Sequence, residues 1–228
     1  MAILTPILLA LGYGIVMMQF SAWSTKRHLN ENSRPLRDPA LQPVVDDMAR
    51  ALDIPGIKVN VYDVEAINGL AAPDGRIFIT QGFLNEFRRG EVTADELASV
   101  IAHELGHVAL GHTRRRMIDF SAQNAARAAL TMVIGRLIPF IGPWIVNFLV
   151  SLFAARLSRS DEYEADAYAS ALLMKSGIGL EGQKSLFRKL DALTKSRAGA
   201  APAWLLSHPK SRERIAAIEA NEARWTTA

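Results

Sequence analysis

Residues 93–109 read TADELASVIAHELGHVA. Thr93 followed three residues later by Glu96 is a capping box, in which each side chain satisfies the other residue's backbone N–H. Leu97, Val100, Ile101, Leu105 and Val108 then recur at helical spacing, so a helix is expected from Ala94 to about Arg116. His103 and His107 lie four apart inside it and therefore point to one side, one turn apart. Each can present an imidazole nitrogen about 2 Å from a single zinc ion. Glu104 stands beside them and can take a proton from an attacking water. This H-E-x-x-H spacing is the pattern of metal-assisted peptide hydrolysis. Gly106 lets a second element approach that helix face closely.

Two histidines leave such a centre incomplete, because catalytic zinc takes three protein ligands and keeps one open position. The chain has no cysteine, so no thiolate can serve and no disulfide holds the fold. The downstream candidates are His112, Asp119, Asp161, Glu162, Glu164 and Asp166. His112, five residues beyond His107, falls about 140° round a helix from it and shares the metal face poorly. In Glu162-Tyr-Glu-Ala-Asp166 the two outer carboxylates are four apart and face the same way, while Glu164 points elsewhere. One of the pair can bind the metal and the other can accept the distal N–H of a ligating histidine. Residue chemistry leaves open which does which.

The 228 residues are 50% hydrophobic, enough for one domain with a substantial core or a domain plus a membrane anchor. The net charge is only +3 despite a pI near 9.3. That surplus does not indicate a nucleic-acid partner. Arg114-Arg115-Arg116 suits a helix C-terminus or a membrane surface. Ile3 to Trp23 carries no charge and Lys26 and Arg27 follow. This pattern predicts an uncleaved transmembrane anchor over 1–25, with the remainder in the cytoplasm. Residues 26–40 are expected to form a linker, and 41–224 the catalytic domain. Leu41, Val44, Val45, Met48, Ala49 and Leu52 mark a short core helix. Residues 57–62 and 76–80 read as strands, the second following an Asp74-Gly75 turn. A second apolar run, 128–155, is broken by Pro139, Gly142 and Pro143 and is expected to form a hydrophobic hairpin in or against a membrane. A single crossing there would put the two halves of the metal site on opposite sides of the bilayer. Further helices are expected over 161–174, 181–196 and from about Pro209 to Arg224.

Three pieces carry a family resemblance: Ile101-Ala-His-Glu-Leu-Gly-His107, Leu157-Ser-Arg-Ser-Asp-Glu-Tyr-Glu-Ala-Asp-Ala167, and His208-Pro209 with Arg214 six residues after His208. Together they resemble the HtpX-like and CAAX-prenyl-protease-like zinc endopeptidases over about residues 40–218. The resemblance implies an α+β, predominantly helical, zincin-like domain with a small antiparallel sheet beside the active-site helix. It implies one Zn2+ held by His103, His107 and Glu162, with Asp166 supporting a ligating histidine. It implies catalytic roles for Glu104 as base and for His208 and Arg214 near the oxyanion. Asn68-Gly69-Leu70-Ala71 is similar to the family's substrate-pairing edge strand, with Gly69 and Leu70 departing from its pattern, so substrate preference does not carry over. Relatives that cut CAAX substrates enclose them in several spans, for which this chain has too little apolar length.

These readings together predict a zinc metalloendopeptidase acting on misfolded or membrane-associated polypeptides at a lipid bilayer, with no nucleic-acid partner. The rivals are an inactive membrane scaffold, a zinc aminopeptidase or other zinc hydrolase, and a nucleic-acid binder. Neither the natural substrate nor the oligomeric state is encoded legibly in the sequence.

Overall fold

The computed structural model of the chain describes residues 4–72, 74–113, 115, 142–196 and 211–226. The elements run α1 (Leu4–Glu31), β1 (Ser33–Pro35), α2 (Gln42–Ala51), β2 (Val59–Tyr62), β3 (Gly69–Ala71), β4 (Ile77–Thr80), α3 (Gln81–Arg88), α4 (Ala94–Ala109), α5 (Gly142–Lys175), α6 (Glu181–Ser196) and α7 (Ser211–Thr226). Two compact units are present, one of Met1–His28 with Gly111–Asp161, the other of Leu29–Leu110 with Glu162–Ala228.

The larger unit carries the sheet. Its strand order is β1-β2-β4-β3. The sheet is mixed, which corrects the expected antiparallel one: β2 and β4 run parallel, with Val59 opposite Ile77 and Tyr62 opposite Thr80. The reason is the intervening strand. Gly75, at φ +84°, makes the tight turn that folds β3 back on β4, with Gly75 N–H donating to the Ala72 carbonyl at 3.0 Å. The Asp74-Gly75 turn therefore joins β3 to β4, and β2 reaches β4 by a crossover. A strand, β1, also forms within the predicted linker and pairs antiparallel with β2.

The core of this unit gathers the buried faces of α2 (Val45, Met48), β2 and β4 (Val61, Ile77, Ile79), α3 (Phe83, Leu84), α4 (Leu97, Val100, Ile101) and α6 (Leu186, Leu190). Burial of such side chains stabilises the fold by about 1.5–3 kcal/mol each before entropy is counted. Helix α4 begins where the sequence predicts: Thr93 Oγ1 accepts from Glu96 N at 3.2 Å, and Glu96 Oε2 accepts from Thr93 N at 2.8 Å. It stops at Ala109, short of the expected Arg116, because Gly111 at φ +72° turns the chain out of helical geometry. On the other face of the sheet, Leu29 at the end of α1 packs with Ala72 and Phe78.

The N-terminal run is helical, and α1 continues to Glu31. Among the described residues no helix is long and apolar enough to cross a membrane. Residues 128–141 of the predicted hairpin lie outside the described residues. Residues 142–155 form the first turns of α5, which continues without a break through the helix expected at 161–174.

Candidate metal centre

Helix α4 brings one face to the C-terminal part of α5. Gly106 permits the approach: a Cβ there would stand 3.0 Å from the Ala165 carbonyl oxygen and 3.3 Å from Tyr168 Cβ. That contact sets His103 and His107 opposite Glu162 and Asp166. All four are buried, as is Glu104.

The Nε2 atoms of His103 and His107 lie 3.1 Å apart. His103 Nε2 is 3.4 Å from Glu162 Oε2, and His107 Nε2 is 3.5 Å from Glu162 Oε1. The two rings meet edge to face at 89°, so their ring nitrogens converge. A tetrahedral zinc ion with bonds of about 2.0–2.1 Å holds its ligand atoms about 3.3 Å apart. The donors thus match one ion in both type and spacing, and these three residues could hold a metal. Charge fits as well: Glu104, Glu162 and Asp166 are all buried, Arg214 pairs with Asp166 and approaches Glu162, and a divalent cation would offset the remaining negative charge.

The distal nitrogen of His103 is also committed. Nδ1–H donates to Asp166 Oδ1 at 2.9 Å, which fixes the tautomer and aims Nε2 at the centre. Burial disfavours an imidazolium at His103, but the bonds to Asp166 and Glu162 outweigh it and raise its pKa to about 9. Burial also pushes the Asp166 carboxyl up, yet Arg214 and His103 together hold it below the usual aspartate range.

Of the residues singled out in the sequence, His103, Glu104, His107, Glu162, Asp166 and Arg214 come together. Arg214, on α7, lies against Asp166, with Nε and Nη2 donating to its two oxygens at 2.5 and 2.7 Å. Asn68 to Ala71 form β3 and its entry. This strand is paired on one side to β4, and the Asn68 N–H is held by Thr80 Oγ1 at 3.0 Å. Gly69 lies directly over α4: a Cβ there would stand 2.7 Å from Val100 Cγ1 and 3.4 Å from Glu104 Oε1. His112 is buried but stays out of the cluster, 3.7 Å from Asp161, and Glu164 is exposed. Asp119 and His208 lie outside the described residues.

Sequence reasoning missed the groups that hold Asp166 from behind. Ser170 Oγ lies 2.8 Å from both the Asp166 carbonyl oxygen and Gln183 Oε1, within reach of either for its one hydroxyl proton. Phe187 offers its ring face to the Arg214 guanidinium at 4.5 Å. Ser170 is readable as four residues past Asp166. Gln183 and Phe187 carry no local signal, because they sit on α6 and meet the site only through helix packing.

Comparison with known proteins places the chain among metalloproteases. The family model for peptidase family M48 matches residues 35–222. Metalloprotease LoiP of Escherichia coli is 32% identical over 158 residues, covering 69% of this chain and 60% of LoiP. Metalloprotease YcaL of the same organism is 32% identical over 171 residues, covering 73% of this chain and 64% of YcaL. A protease HtpX homolog of Salinibacter ruber is 33% identical over 158 residues, covering 62% and 53% respectively. The chain thus spans less than two thirds of the length of these relatives.

Proposed function

The chain belongs to peptidase family M48, and from that premise we propose that it is a zinc-dependent metalloendopeptidase whose ion is held by His103, His107 and Glu162. The observation that carries this reading is the spacing of three buried donors at 3.1, 3.4 and 3.5 Å, with Glu104 next to His103 on the same helix. Bound there, zinc would polarise the scissile carbonyl and acidify the attacking water.

The chain's own residues do the rest. Glu104 accepts the proton of the attacking water and returns it to the leaving amine. Asp166 keeps the His103 tautomer, so that Nε2 stays a ligand atom. Strand β3 passes Glu104 at Gly69. Its free edge lies beside the reacting bond and can hold an extended substrate through backbone hydrogen bonds. His208 supplies a positive donor to the developing oxyanion.

The substrates proposed are misfolded or membrane-associated polypeptides. The support is the apolar, uncharged character of α1: residues 4–23 carry no charge, Lys26 and Arg27 follow, and Tyr13, Ile15, Val16, Phe20 and Trp23 are exposed. Such a helix suits attachment to a bilayer, with the catalytic unit on its cytoplasmic side.

The test is cleavage of an internally quenched peptide blocked at both termini by the full chain and by Glu104→Gln. Glu104→Gln is expected to retain zinc and lose about 10²–10⁴-fold in rate. Equal cleavage by both proteins sinks the mechanism. Cleavage of only the unblocked peptide makes the enzyme an aminopeptidase.

A further inference from the structure

Arg214 is 1% exposed and is among the largest fully buried side chains of the chain. A guanidinium is rarely buried so completely unless its donors are matched. Here they are matched by the residues that shape the metal centre. Nε and Nη2 hold the two oxygens of Asp166 in a fork. Nη1 lies 3.6 Å from Glu162 Oε2. Nη2 also comes within 3.4 Å of His103 Nδ1. That nitrogen gives its proton to Asp166, so the approach is a proximity of two donors and not a hydrogen bond. The planar group rests on the Phe187 ring.

The rest of α7 is tied down by further contacts. Lys184 on α6 donates to Glu222 at 2.9 Å, Arg188 lies 3.8 Å from Glu219, and the Tyr163 hydroxyl donates to Glu213 at 3.1 Å. Tyr163 adjoins Glu162 and Glu213 adjoins Arg214.

We propose that α7 is a clamp on the metal centre: its docking inserts Arg214 behind Asp166, and Arg214 acts as a positioning residue that presets His103 for zinc. Its guanidinium is engaged by Asp166 and approaches Glu162. It fixes both Asp166 oxygens, so Oδ1 has one place to receive the His103 N–H, and the ring cannot turn Nε2 away from the centre. Zinc retention then depends on whether the C-terminal helix is seated. This inference rests on the metal-site reading above and extends it to the control of metal affinity.

The experiment measures zinc affinity of the full chain by competition with a chromophoric chelator at fixed pH and salt. Apo-protein thermal unfolding is recorded in parallel. Arg214→Lys keeps the charge but cannot form the fork. Partners of this kind are worth about 10–100-fold in metal affinity, and a loss of that size is expected in a variant that still folds without metal. Asp166→Asn and the double variant complete a cycle: the two losses should not add, because both act through one hydrogen-bonded unit. Lys184→Met loosens α7 far from the donors and should weaken zinc several-fold, with faster amide exchange confined to α7. A folded Arg214→Lys protein with native zinc affinity overturns the clamp. If Arg214→Lys does not fold, unchanged affinity in Lys184→Met with a loosened α7 overturns it instead. Failure of the native chain to take up zinc overturns the metal-site reading, and the clamp with it. Zinc uptake without peptide cleavage overturns only the protease assignment.

Discussion

The two ends of α4 each bury a carboxylate system, and they are built in opposite ways. At the N-terminal end Glu96 is held first by its neighbour Thr93 and then by Ser185 and Lys189 of α6, at 2.6 and 2.8 Å. At the C-terminal end His103 has no local partner for its distal nitrogen. Its partners are Asp166 and, through it, Arg214, 63 and 111 residues away. The first arrangement starts as a local cap and gains tertiary contacts. The second exists only once three helices have packed. The local cap contributes mainly to stability. The long-range system places charged groups where water is excluded, at a cost the fold tolerates because the charges are paired and can hold a metal.

That contrast can be broken at either end. Asp166→Ala should have the largest effect, since it leaves the Arg214 guanidinium buried without its carboxylate. A loss of about 3–5 kcal/mol in unfolding free energy is expected by denaturant titration of the apo protein. A loss below 1 kcal/mol would mean that the centre is not charge-paired as described.

Glu96→Gln should cost less, about 1–3 kcal/mol, because its partners are hydrogen-bond donors of which Lys189 is half exposed. Its pH dependence sharpens the point. Burial pushes the Glu96 carboxyl up, but Lys189, Ser185 and the Thr93 N–H hold it below its ordinary 4.5. A depressed carboxyl contributes stability that is complete above the unfolded-state pKa and is lost as pH falls through the folded one. The difference between native and Glu96→Gln proteins should therefore be full at pH 7 and close as pH drops below 4.5.

Thr93→Ala removes only the cap hydroxyl and should cost about 1 kcal/mol with no change in zinc affinity. If it weakened zinc as Arg214→Lys is expected to, the two ends of α4 would not be independent.

Legibility in the sequence followed the range of the interaction. The capping box, the H-E-x-x-H pair and the four-residue spacing of Glu162 and Asp166 are all local periodicities, and each is found where its spacing places it. The parallel pairing of β2 with β4 was not legible. Which neighbour a strand takes depends on a crossover, and alternating apolar residues do not encode one. The end of α4 was overshot because apolar and basic residues run past Gly111, whose positive φ decides the stop. The apolar N-terminus reads as a crossing helix by its lack of charge. The structure makes it helical, and among the described residues no helix is long and apolar enough to cross a membrane.

By itself, then, the sequence determined that this protein carries a two-histidine metal motif on a capped helix, with a carboxylate pair on a second helix. Those facts follow from 3.6-residue periodicity and from side-chain chemistry, which need no long-range contact. Only the tertiary structure decided how the carboxylates divide their contacts. Glu162 meets both Nε2 atoms, while Asp166 takes the far side of His103. It also decided that Arg214 stands behind Asp166 and that Gly69 lies over Glu104. The physical reason is that these contacts join residues tens of positions apart. They are selected by how the helices and the sheet bury their apolar faces, and no local stretch of chain contains that information.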